Sequence, residues 1–550
     1  MNEQGKNPER SRPTLAIAIL FVVAASLHFL GGMGADPDLW AHVHYGGMIL
    51  DGHGLPRVDV FSYSAPGAAF YDHEWLADLL LAGVWRLGGA VGLGAFKLLI
   101  GAVIVLALLD ATRTLRRELL GDRPLEPLLS ACLLVLVLAV MHPGATFRPQ
   151  LFTMLLLALE LALLARAERR LRHLQSMNLR GGGAAFVPAL APAGLIVPLL
   201  LVWANLHGGF LVGVGILCGW VGVATLRLLS SPGPRWGVVV MLAGIGVAGA
   251  IAPLVNPYGA ELYIYLWRTL GMHEEISEWQ PVTLGDTNFL RYQLLVVATG
   301  LAAALILRGV PRGRARTSLA WLVPLATIAA LYGYRHQRHT VLFAEVAAPL
   351  LLVGAEQARG WVVGRWPVLV PRLGVRRLLV GGIAALALIQ LASVTHRVQK
   401  EGLAVRFGRL DYPVDAVAFL ERHGFHGNLA VPFEWGGYVI NKMGERSRVF
   451  IDGRFEAVYP PAVIDDYFRF TSGVSGWERM IEAYPTDVVV VQRWRNIHPR
   501  LFARADLEYV YSDPAALVFV RRNAATAPLL ARLAHAADRN DFPRYATVFP

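Results

Sequence analysis

The sequence predicts a polytopic α-helical membrane protein of about eleven transmembrane helices, followed by a soluble α/β domain at the C-terminus. Apolar residues make up 55% of the 550 residues and charged residues only 17%, and the mean hydropathy is +0.46. Soluble domains usually contain about 25% charged residues, and disordered chains are poor in apolar ones. The composition therefore excludes a purely soluble protein and a disordered chain.

The chain is basic, with 51 lysine and arginine residues against 40 acidic ones and a formal net charge of +11. A nucleic-acid-binding protein would gather its basic residues on one soluble face, whereas here they form short arginine-rich clusters between apolar runs. Such clusters are typical of cytoplasmic loops. The two cysteines, Cys132 and Cys218, lie within apolar runs, so neither a disulfide framework nor a zinc site is expected.

The predicted transmembrane domain covers residues 13–395. A polar, basic cytoplasmic segment, 1–12, precedes the first apolar run at 13–30, which we interpret as an uncleaved helix. Ten further runs approach the roughly 20 residues that a membrane span requires. They lie at about 91–110, 126–141, 147–166, 186–204, 209–229, 237–255, 291–308, 318–334, 339–355 and 378–395.

The apolar segment 75–88 is too short to span a membrane and contains Asp78 and Arg86, so we expect a helix that lies at the interface. With eleven crossings from a cytoplasmic N-terminus, the main arginine clusters all fall in the cytoplasm, in agreement with the positive-inside bias. Those clusters are Arg113–Arg123, Arg166–Arg180, Arg308–Arg316 and Arg359–Arg377. The C-terminus is then outside.

Residues 400–550 are predicted to form an extracytoplasmic α/β domain with a mainly parallel sheet, because strand-like and helix-like segments alternate there. The helix-like segments are Val414–His423 and Trp477–Ala483. The strand-like runs are Asn428–Pro432, Arg448–Asp452, Asp487–Gln492, Leu507–Tyr511 and Ala516–Arg521.

Acidic and histidine side chains are concentrated in the first outer loop, 31–74. Such groups are energetically costly at membrane depth, and where they occur they usually have a function. In one interpretation Asp36 caps a helix that begins at Pro37, and Asp72 caps the helix that begins near Trp75. In the other, one aspartate of Asp36-Pro37-Asp38 is a general base and the second carboxylate anchors a substrate or a metal. The two interpretations are compatible. We predict as catalytic Asp36, Asp38 and Glu74, and as substrate-binding His42, Asp72 and His73.

The sequence identifies no cofactor: it contains no phosphate-binding loop, no nucleophile elbow and no metal-spaced Cys/His cluster. A divalent cation, Mg²⁺ or Mn²⁺, would be held, if one is used, by Asp36, Asp38 and Glu74.

The run Arg335-His336-Gln337-Arg338-His339 lies between two apolar spans on the outer side, against the positive-inside bias. Its side chains either snorkel to lipid headgroups or form a phosphate or pyrophosphate site, since arginine binds phosphate bidentately. Arg148 and His207, at other span ends, either join this site or serve as interfacial anchor and turn residue. The predicted substrate-binding residues here are Arg148, His207, Arg335, His336, Arg338 and His339.

Two motifs stand out in the C-terminal domain, Glu434-Trp435-Gly436-Gly437-Tyr438 and Asp452-Gly453-Arg454. Asp452 closes a strand, where open α/β sheets bind ligands. The alternative, which we favour, is an Asp–Gly turn with a structural Arg454 ion pair. Outside this domain, Glu274 and Glu278 share a helical i,i+4 spacing, which indicates a solvated acidic face or, with His273, a cation site.

The multispan body, the acidic motif after the first span and the soluble outer domain together resemble the GT-C glycosyltransferases. The resemblance is greatest to the bacterial protein O-mannosyltransferase and aminoarabinose-transferase branch, and it covers residues 13–395 as architecture. Its local specificity lies in Asp36-Pro37-Asp38 and in Asp72-His73-Glu74-Trp75, with Arg148-Pro149-Gln150 as weaker support.

This resemblance implies transfer of a sugar, hexosyl or pentosyl, from a polyprenyl-phosphate donor to an acceptor hydroxyl at the outer face of a bacterial inner membrane. Asp36 or Asp38 would remove the acceptor proton, and Arg335 and Arg338 would stabilise the departing phosphate. A direct displacement with one base would invert the anomeric centre. The implied partners are the lipid-linked sugar, membrane lipids and a lipid, glycan or protein acceptor, with no nucleic acid.

Two alternatives remain open. A lipid-linked glycan ligase or polymerase shares this architecture and joins whole glycans. A transporter of lipids or glycans would need no chemistry, but transporters place charged groups near the midplane and show repeated halves. Here the polar groups lie at span ends and no repeat is visible, which favours an enzyme.

Overall fold

The computed structural model describes residues 12–122, 125–176, 187–231, 236–269, 277–311, 318–365, 373–534 and 547–548. The predicted cytoplasmic segment 1–12 lies outside these ranges except for Arg12. The chain divides into two compact units. We call Met1–Gly32, Ala95–Gly259 and His273–Gly402 the helical unit, and Met33–Gly94, Ala260–Met272 and Leu403–Pro550 the α/β unit.

Fourteen α-helices precede the C-terminal domain in the described part of the chain. They are α1 Arg12–Phe29, α2 Leu39–Leu50, α3 Trp75–Leu120, α4 Pro127–Met141, α5 Gln150–Ser176, α6 Val187–Gly194, α7 Ile196–Leu206, α8 Phe210–Leu229, α9 Trp236–Ile251, α10 Glu261–Thr269, α11 Leu290–Gly309, α12 Leu322–Arg335, α13 Thr340–Arg365 and α14 Leu373–Glu401.

Ten helical segments of the described ranges are long and apolar enough to cross a membrane, so the chain is a multi-pass membrane protein. Each contains or overlaps one of the eleven predicted apolar runs. The eleventh run, 318–334, does not reach that length: a turn at Ala320 and Trp321 interrupts it, and α12 has 14 residues. At 1.5 Å per residue such a helix is about 21 Å long, shorter than a typical hydrocarbon core of about 30 Å.

The predicted interfacial segment 75–88 is the first part of the long helix α3, which is kinked at Gly89. The backbone of Gly89 has φ 57° and ψ −153°, a conformation that is essentially confined to glycine. The kink therefore separates residues 75–88 from the apolar run at 91–110. How the first part lies relative to a membrane stays a prediction.

The C-terminal part of the α/β unit contains a five-stranded sheet of order β3-β2-β4-β6-β5. Its strands are β2 Gly427–Ala430, β3 Ser447–Val449, β4 Val488–Gln492, β5 Leu507–Ser512 and β6 Ala516–Arg521, and a second, two-stranded sheet pairs β1 Arg406–Phe407 with β7 Thr547–Val548. The helices are α15 Val414–Arg422, α16 Phe433–Met443, α17 Pro461–Ser472, α18 Arg479–Glu482, α19 His498–Phe502 and α20 Ala527–Ala534. All five predicted strand runs are confirmed.

The prediction of a mainly parallel sheet is wrong, because the sheet is mixed. Strand β2 runs parallel to β3 and β4, whereas β6 runs antiparallel to β4 and β5. Only residues 513–515 connect β5 to β6, and so short a connection can join only antiparallel strands. Asp513 Oδ1 stabilises this turn by accepting hydrogen bonds from the backbone amides of Ala515 and Ala516, both at 2.7 Å.

The loop 31–74, which the sequence predicts to lie outside, extends this sheet at its β3 edge. Ser62 forms a parallel bridge with Val449. The amide of Val449 donates to the Phe61 carbonyl at 2.9 Å, and the amide of Tyr63 donates to the Val449 carbonyl at 3.1 Å. The loop thereby covers backbone groups that an edge strand would leave unpaired, and it belongs to the same compact unit as the C-terminal strands.

Candidate functional site

The two aspartates before α2 have different surroundings. Asp36 is only 9% exposed, and its Oδ1 accepts a hydrogen bond from the backbone amide of Asp38 at 3.1 Å. Asp36 thus stabilises the turn before α2, but the prediction that it caps a helix beginning at Pro37 is wrong, because α2 begins at Leu39 and its N-cap is Asp38. Asp38 directly precedes Leu39, the first residue of α2, and is half-buried.

A side chain of α2, His42, is hydrogen-bonded to α3. His42 Nδ1 and Asp78 Oδ1 of α3 form a hydrogen bond at 2.6 Å, and the Asp78 side chain is 1% exposed. This bond fixes the orientation of the imidazole ring. Asp78 is a site residue that the sequence analysis did not include, although an acid in so apolar a segment was a signal for it.

The motif Asp72-His73-Glu74 lies directly before α3 and is held in low-dielectric surroundings. Asp72 is 4% exposed, and its carboxyl accepts a hydrogen bond from the Glu74 amide in the turn before α3. Burial, together with the negative charges of Asp78 and Glu74, raises the pKa of Asp72 well above its usual value. Burial also lowers the pKa of His73 to about 4, so His73 is neutral near pH 7.

No three His, Cys, Asp or Glu side chains of the described residues are arranged to hold a metal ion. The predicted set of Asp36, Asp38 and Glu74 therefore does not form a metal centre here, and we assign no step to a metal ion.

In the helical unit the turn Ser277–Trp279 brings several predicted phosphate ligands together. Arg148 NH1 lies 3.1 Å from Glu278 Oε1. The Arg338 guanidinium lies 4.5 Å from the centroid of the Trp279 ring, and His336 Nδ1 donates to the Trp279 carbonyl at 2.8 Å. Glu278 is thus an ion-pair partner of Arg148. The other members of the predicted acidic face or cation site, His273 and Glu274, lie outside the described residues, so that prediction stays untested.

The remaining two members of the basic run have different exposures. The ring of His339 packs against Trp279 and His336, with centroid distances of 5.9 Å and 5.5 Å. Arg335 ends α12 and is exposed. The run therefore offers one exposed guanidinium beside a cluster that is organised around Trp279.

His207 is a structural residue with a fixed tautomer. Its Nδ1 lies 3.0 Å from the backbone amide of Gly209 and 2.7 Å from the hydroxyl of Thr153. An amide N–H can only donate, so Nδ1 carries no proton and the ring proton is on Nε2. Trp203 Nε1 in turn donates to Thr153 Oγ1 at 2.9 Å. His207 therefore joins α5 to the α7–α8 turn and presents an Nε2–H donor.

Three basic side chains bind carbonyl groups at and just after the end of α1. The Phe29 carbonyl accepts from His142 Nδ1 at 2.6 Å, the Gly31 carbonyl from Arg397 at 3.3 Å and the Gly32 carbonyl from Lys97 Nζ at 2.5 Å. Cations complement the negative end of a helix dipole. This arrangement fixes the point at which the chain leaves the first span. The only sequence signal for this arrangement is that Lys97 is a lysine within an apolar run.

In the C-terminal domain the favoured interpretation of Asp452-Gly453-Arg454 is confirmed. Arg454 forms ion pairs with Asp452 at 2.6 Å and with Asp59 of the first loop at 2.7 Å, and its side chain is 6% exposed. Burial alone would raise the pKa of Asp452, but the charge and hydrogen bonds of Arg454 lower it below its usual value.

No protein-family model matches the chain, and no curated protein matches it in sequence. Among solved structures, the chain is similar to the archaeal oligosaccharyltransferase AglB from Archaeoglobus fulgidus, in complex with an inhibitory peptide and a dolichol-phosphate. The identity is 12% and the TM-score 0.53, over 88% of this chain and 70% of AglB.

Two further structures are similar at lower TM-scores. One is ArnT from Cupriavidus metallidurans bound to undecaprenyl phosphate, with 12% identity and a TM-score of 0.48 over 94% of this chain and 99% of ArnT. The other is the arabinofuranosyltransferase AftD from Mycobacteria, with 15% identity and a TM-score of 0.47 over 93% of this chain and 40% of AftD. The likeness to AglB establishes the fold, as the resemblance implied. The chain has the fold of the GT-C membrane glycosyltransferases.

Proposed function

We propose that this protein is a membrane glycosyltransferase that transfers a sugar from a polyprenyl-phosphate-linked donor to an acceptor hydroxyl on the extracytoplasmic side. The observation that carries the proposal is the cluster of acidic and histidine side chains at the starts of α2 and α3, in a chain with the GT-C fold. The AglB structure contains a dolichol-phosphate and a peptide, which supports a lipid-linked donor and a separate acceptor for this chain.

Asp38 is the general base of the proposed reaction. Its carboxylate is half-buried at the start of α2, whereas Asp36 is nearly inaccessible and uses Oδ1 in the preceding turn. Asp38 takes the acceptor proton while the acceptor oxygen attacks the anomeric carbon. The bond between that carbon and the phosphate oxygen breaks, and the polyprenyl phosphate leaves with the electron pair. A single displacement of this kind inverts the anomeric centre, and general base catalysis typically contributes about 10²–10⁴-fold.

His42, Asp72, His73 and Glu74 provide the polar surroundings of the acceptor and the sugar. The His42 ring is oriented by Asp78, so its other nitrogen is available for a hydroxyl group. Asp72 is buried and has a raised pKa, so as a neutral acid it can donate a hydrogen bond, which a carboxylate cannot. Glu74 is a second candidate for the base.

The lipid phosphate is bound by the basic residues of the helical unit. Arg335 is exposed, and Arg338 is oriented by its contact with Trp279. Arg148 is paired with Glu278 through one nitrogen, and a phosphate, with more charge and more acceptor oxygens than a carboxylate, competes for the same guanidinium. His336, His339 and the Nε2–H of His207 add donors for phosphate or sugar oxygens.

The test is transfer by the purified protein in detergent, supplied with labelled polyprenyl-phosphate sugars or with labelled nucleotide sugars. We expect a labelled product from the lipid-linked donor alone. The same protein in vesicles is then assayed for movement of labelled lipid between leaflets. Movement of lipid between leaflets without sugar transfer from any donor would show that the protein is a transporter and not an enzyme.

A second candidate function is transfer of a whole lipid-linked glycan, because AglB is described as an oligosaccharyltransferase. Polyprenyl-phosphate monosaccharides and polyprenyl-linked oligosaccharides are therefore offered in parallel. Faster transfer of the oligosaccharide would favour a glycan ligase over a transferase of single sugars.

A further inference from the structure

We propose that the turn Asp452-Gly453-Arg454 positions the catalytic Asp38, so that the C-terminal strands contribute a wall of the catalytic site. The inference rests on the proposed role of Asp38 as general base. It assigns a positioning role to a turn 414 residues further along the chain, within the same compact unit.

The first observation is a close approach between Asp38 and Gly453. An ideal Cβ on Gly453 would lie 2.5 Å from Asp38 Oδ1, closer than real Cβ contacts allow. Gly453 is not among the glycines of positive φ, so its backbone would accept a side chain without strain. The Asp38 carboxylate alone occupies the space, which means that Asp38 rests directly on the backbone of this turn.

The second observation is that the turn is held from several sides. Asp452 Oδ1 accepts from the Arg454 amide at 2.9 Å and from Arg454 Nε at 2.8 Å, and the Tyr459 hydroxyl donates to Asp452 Oδ2 at 2.7 Å. Arg454 continues the network to Asp59. Since these groups are buried, their bonds are not exchanged with water, and the position of Gly453 is defined by the network.

The third observation explains the neighbouring Glu434-Trp435-Gly436-Gly437-Tyr438 motif. A Cβ on Gly436 would lie 2.5 Å from Asp452 Cβ, and a Cβ on Gly437 would lie 3.2 Å from the Pro37 carbonyl oxygen and 3.3 Å from Ala41 Cβ. The two glycines therefore allow α16 to pack closely against both the 452–454 turn and the start of α2. The backbone of α16 thus packs against Pro37 and Ala41, which lie before and after Asp38 in the sequence, while the 452–454 turn packs against Asp38 itself.

Such a contact has a catalytic consequence because a base works only at the right distance from the proton that it removes. A misplacement of about 1 Å can reduce a rate about 10²-fold. We therefore expect the turn to affect the chemical step and to leave the binding of the lipid-linked donor unchanged.

The experiment compares Gly453→Ala with Gly83→Ala in the purified full-length protein. Gly83 lies in α3 with ordinary φ, and a Cβ there would meet no atom within 4 Å, so this control retains wild-type kcat. For Gly453→Ala we expect kcat to fall by about 10–100-fold, with the donor KM unchanged and the acid limb of the pH–rate profile displaced. Wild-type kcat, or a loss confined to the donor KM, would overturn the inference.

A thermal double-mutant cycle tests the contact without using activity. Gly453→Ala should lower the thermal midpoint when Asp38 is present and have little effect in an Asp38→Ala background, where the added methyl group has space. An equal loss in both backgrounds would overturn the inference. Failure of the proposed function would be seen separately, as the absence of sugar transfer by the wild type.

Discussion

At the scale of single residues, the carboxylates near α2 and α3 differ mainly in their access to water. Asp72 and Asp78 are almost fully buried, whereas Asp38 is half-buried at a helix N-terminus. Burial disfavours the charged form of an acid, and it raises the pKa of Asp72 above its usual value. Neighbouring acids with such different surroundings can take different roles in one reaction.

The first prediction concerns the buried carboxyl of Asp72. The raised pKa of Asp72 means that folding favours the neutral form of its carboxyl group. The stabilisation that Asp72 contributes is therefore complete below about pH 3.9, the ordinary pKa of an aspartate side chain. This stabilisation is lost as the pH rises through the pKa that Asp72 has in the folded protein. Asp72→Asn introduces an amide that cannot ionise. We expect its thermal midpoint, relative to that of the wild type, to rise by a few degrees between pH 4 and pH 8. A pH-independent difference between the two proteins would contradict this.

The second prediction concerns the buried guanidinium of Arg454. Arg454→Lys keeps the charge, but an ammonium cannot reproduce the forked contacts with Asp452 and Asp59. We expect a loss of stability of about 2–4 kcal/mol, since a broken buried pair leaves charge uncompensated. The matched control is Arg479→Lys, whose ion pair with Asp466 involves an Arg479 side chain that is 65% exposed. We expect the control substitution to lower the free energy of unfolding by about 0–1 kcal/mol. Equal losses of stability in the two variants would contradict the prediction.

At the scale of elements, the spans and strands could be predicted from apolar periodicity, whereas the pairing of the strands could not. The β6 run, Ala516–Arg521, has the predicted bounds, because a short apolar run between turn residues is a local signal. The antiparallel pairing of β4 with β6 depends instead on how the chain returns to the sheet, which no local pattern encodes. The local sequence pattern also does not distinguish glycines 436, 437 and 453, at which other residues pack closely, from ordinary turn glycines.

The third prediction tests the kink of α3. Gly89→Ala forces a side chain into a glycine-only backbone conformation, which costs about 1–3 kcal/mol. Gly88→Ala is the matched control, because Gly88 has ordinary φ and open space, and alanine is the better helix former by about 1 kcal/mol. We therefore expect a lower thermal midpoint for Gly89→Ala and an unchanged or higher one for Gly88→Ala. The opposite order would show that the kink does not depend on Gly89.

At the scale of the whole molecule, residues 33–74 and the C-terminal strands belong to one compact unit. The acids of this loop could be found from their polarity, but Asp78 could not be identified as the partner of His42, nor Asp59 as the partner of Arg454. These pairs join residues that lie 36 and 395 positions apart. Such pairs depend on tertiary packing, so polarity indicates candidate residues but does not pair them.

The fourth prediction concerns orientation in the membrane. The positive-inside bias places the α/β unit outside and the arginine cluster at 113–123 inside. We expect a membrane-impermeant maleimide applied to intact cells to label a Glu445→Cys variant, after Cys132 and Cys218 are replaced. The control, Arg113→Cys, should react only after the membrane is made permeable. Both positions are exposed, so the reverse pattern would mean that the topology is inverted.

The central claim is that Asp38 removes the acceptor proton during transfer from a lipid-linked donor. The most direct measurement is single-turnover transfer by Asp38→Asn at saturating donor, with donor binding measured on the same sample. Glu445→Gln, at an exposed carboxylate of the same unit, is the control and should transfer at the wild-type rate. We predict that Asp38→Asn binds donor normally and transfers about 10²–10⁴-fold more slowly. Transfer at the wild-type rate, or lost donor binding, would contradict the account.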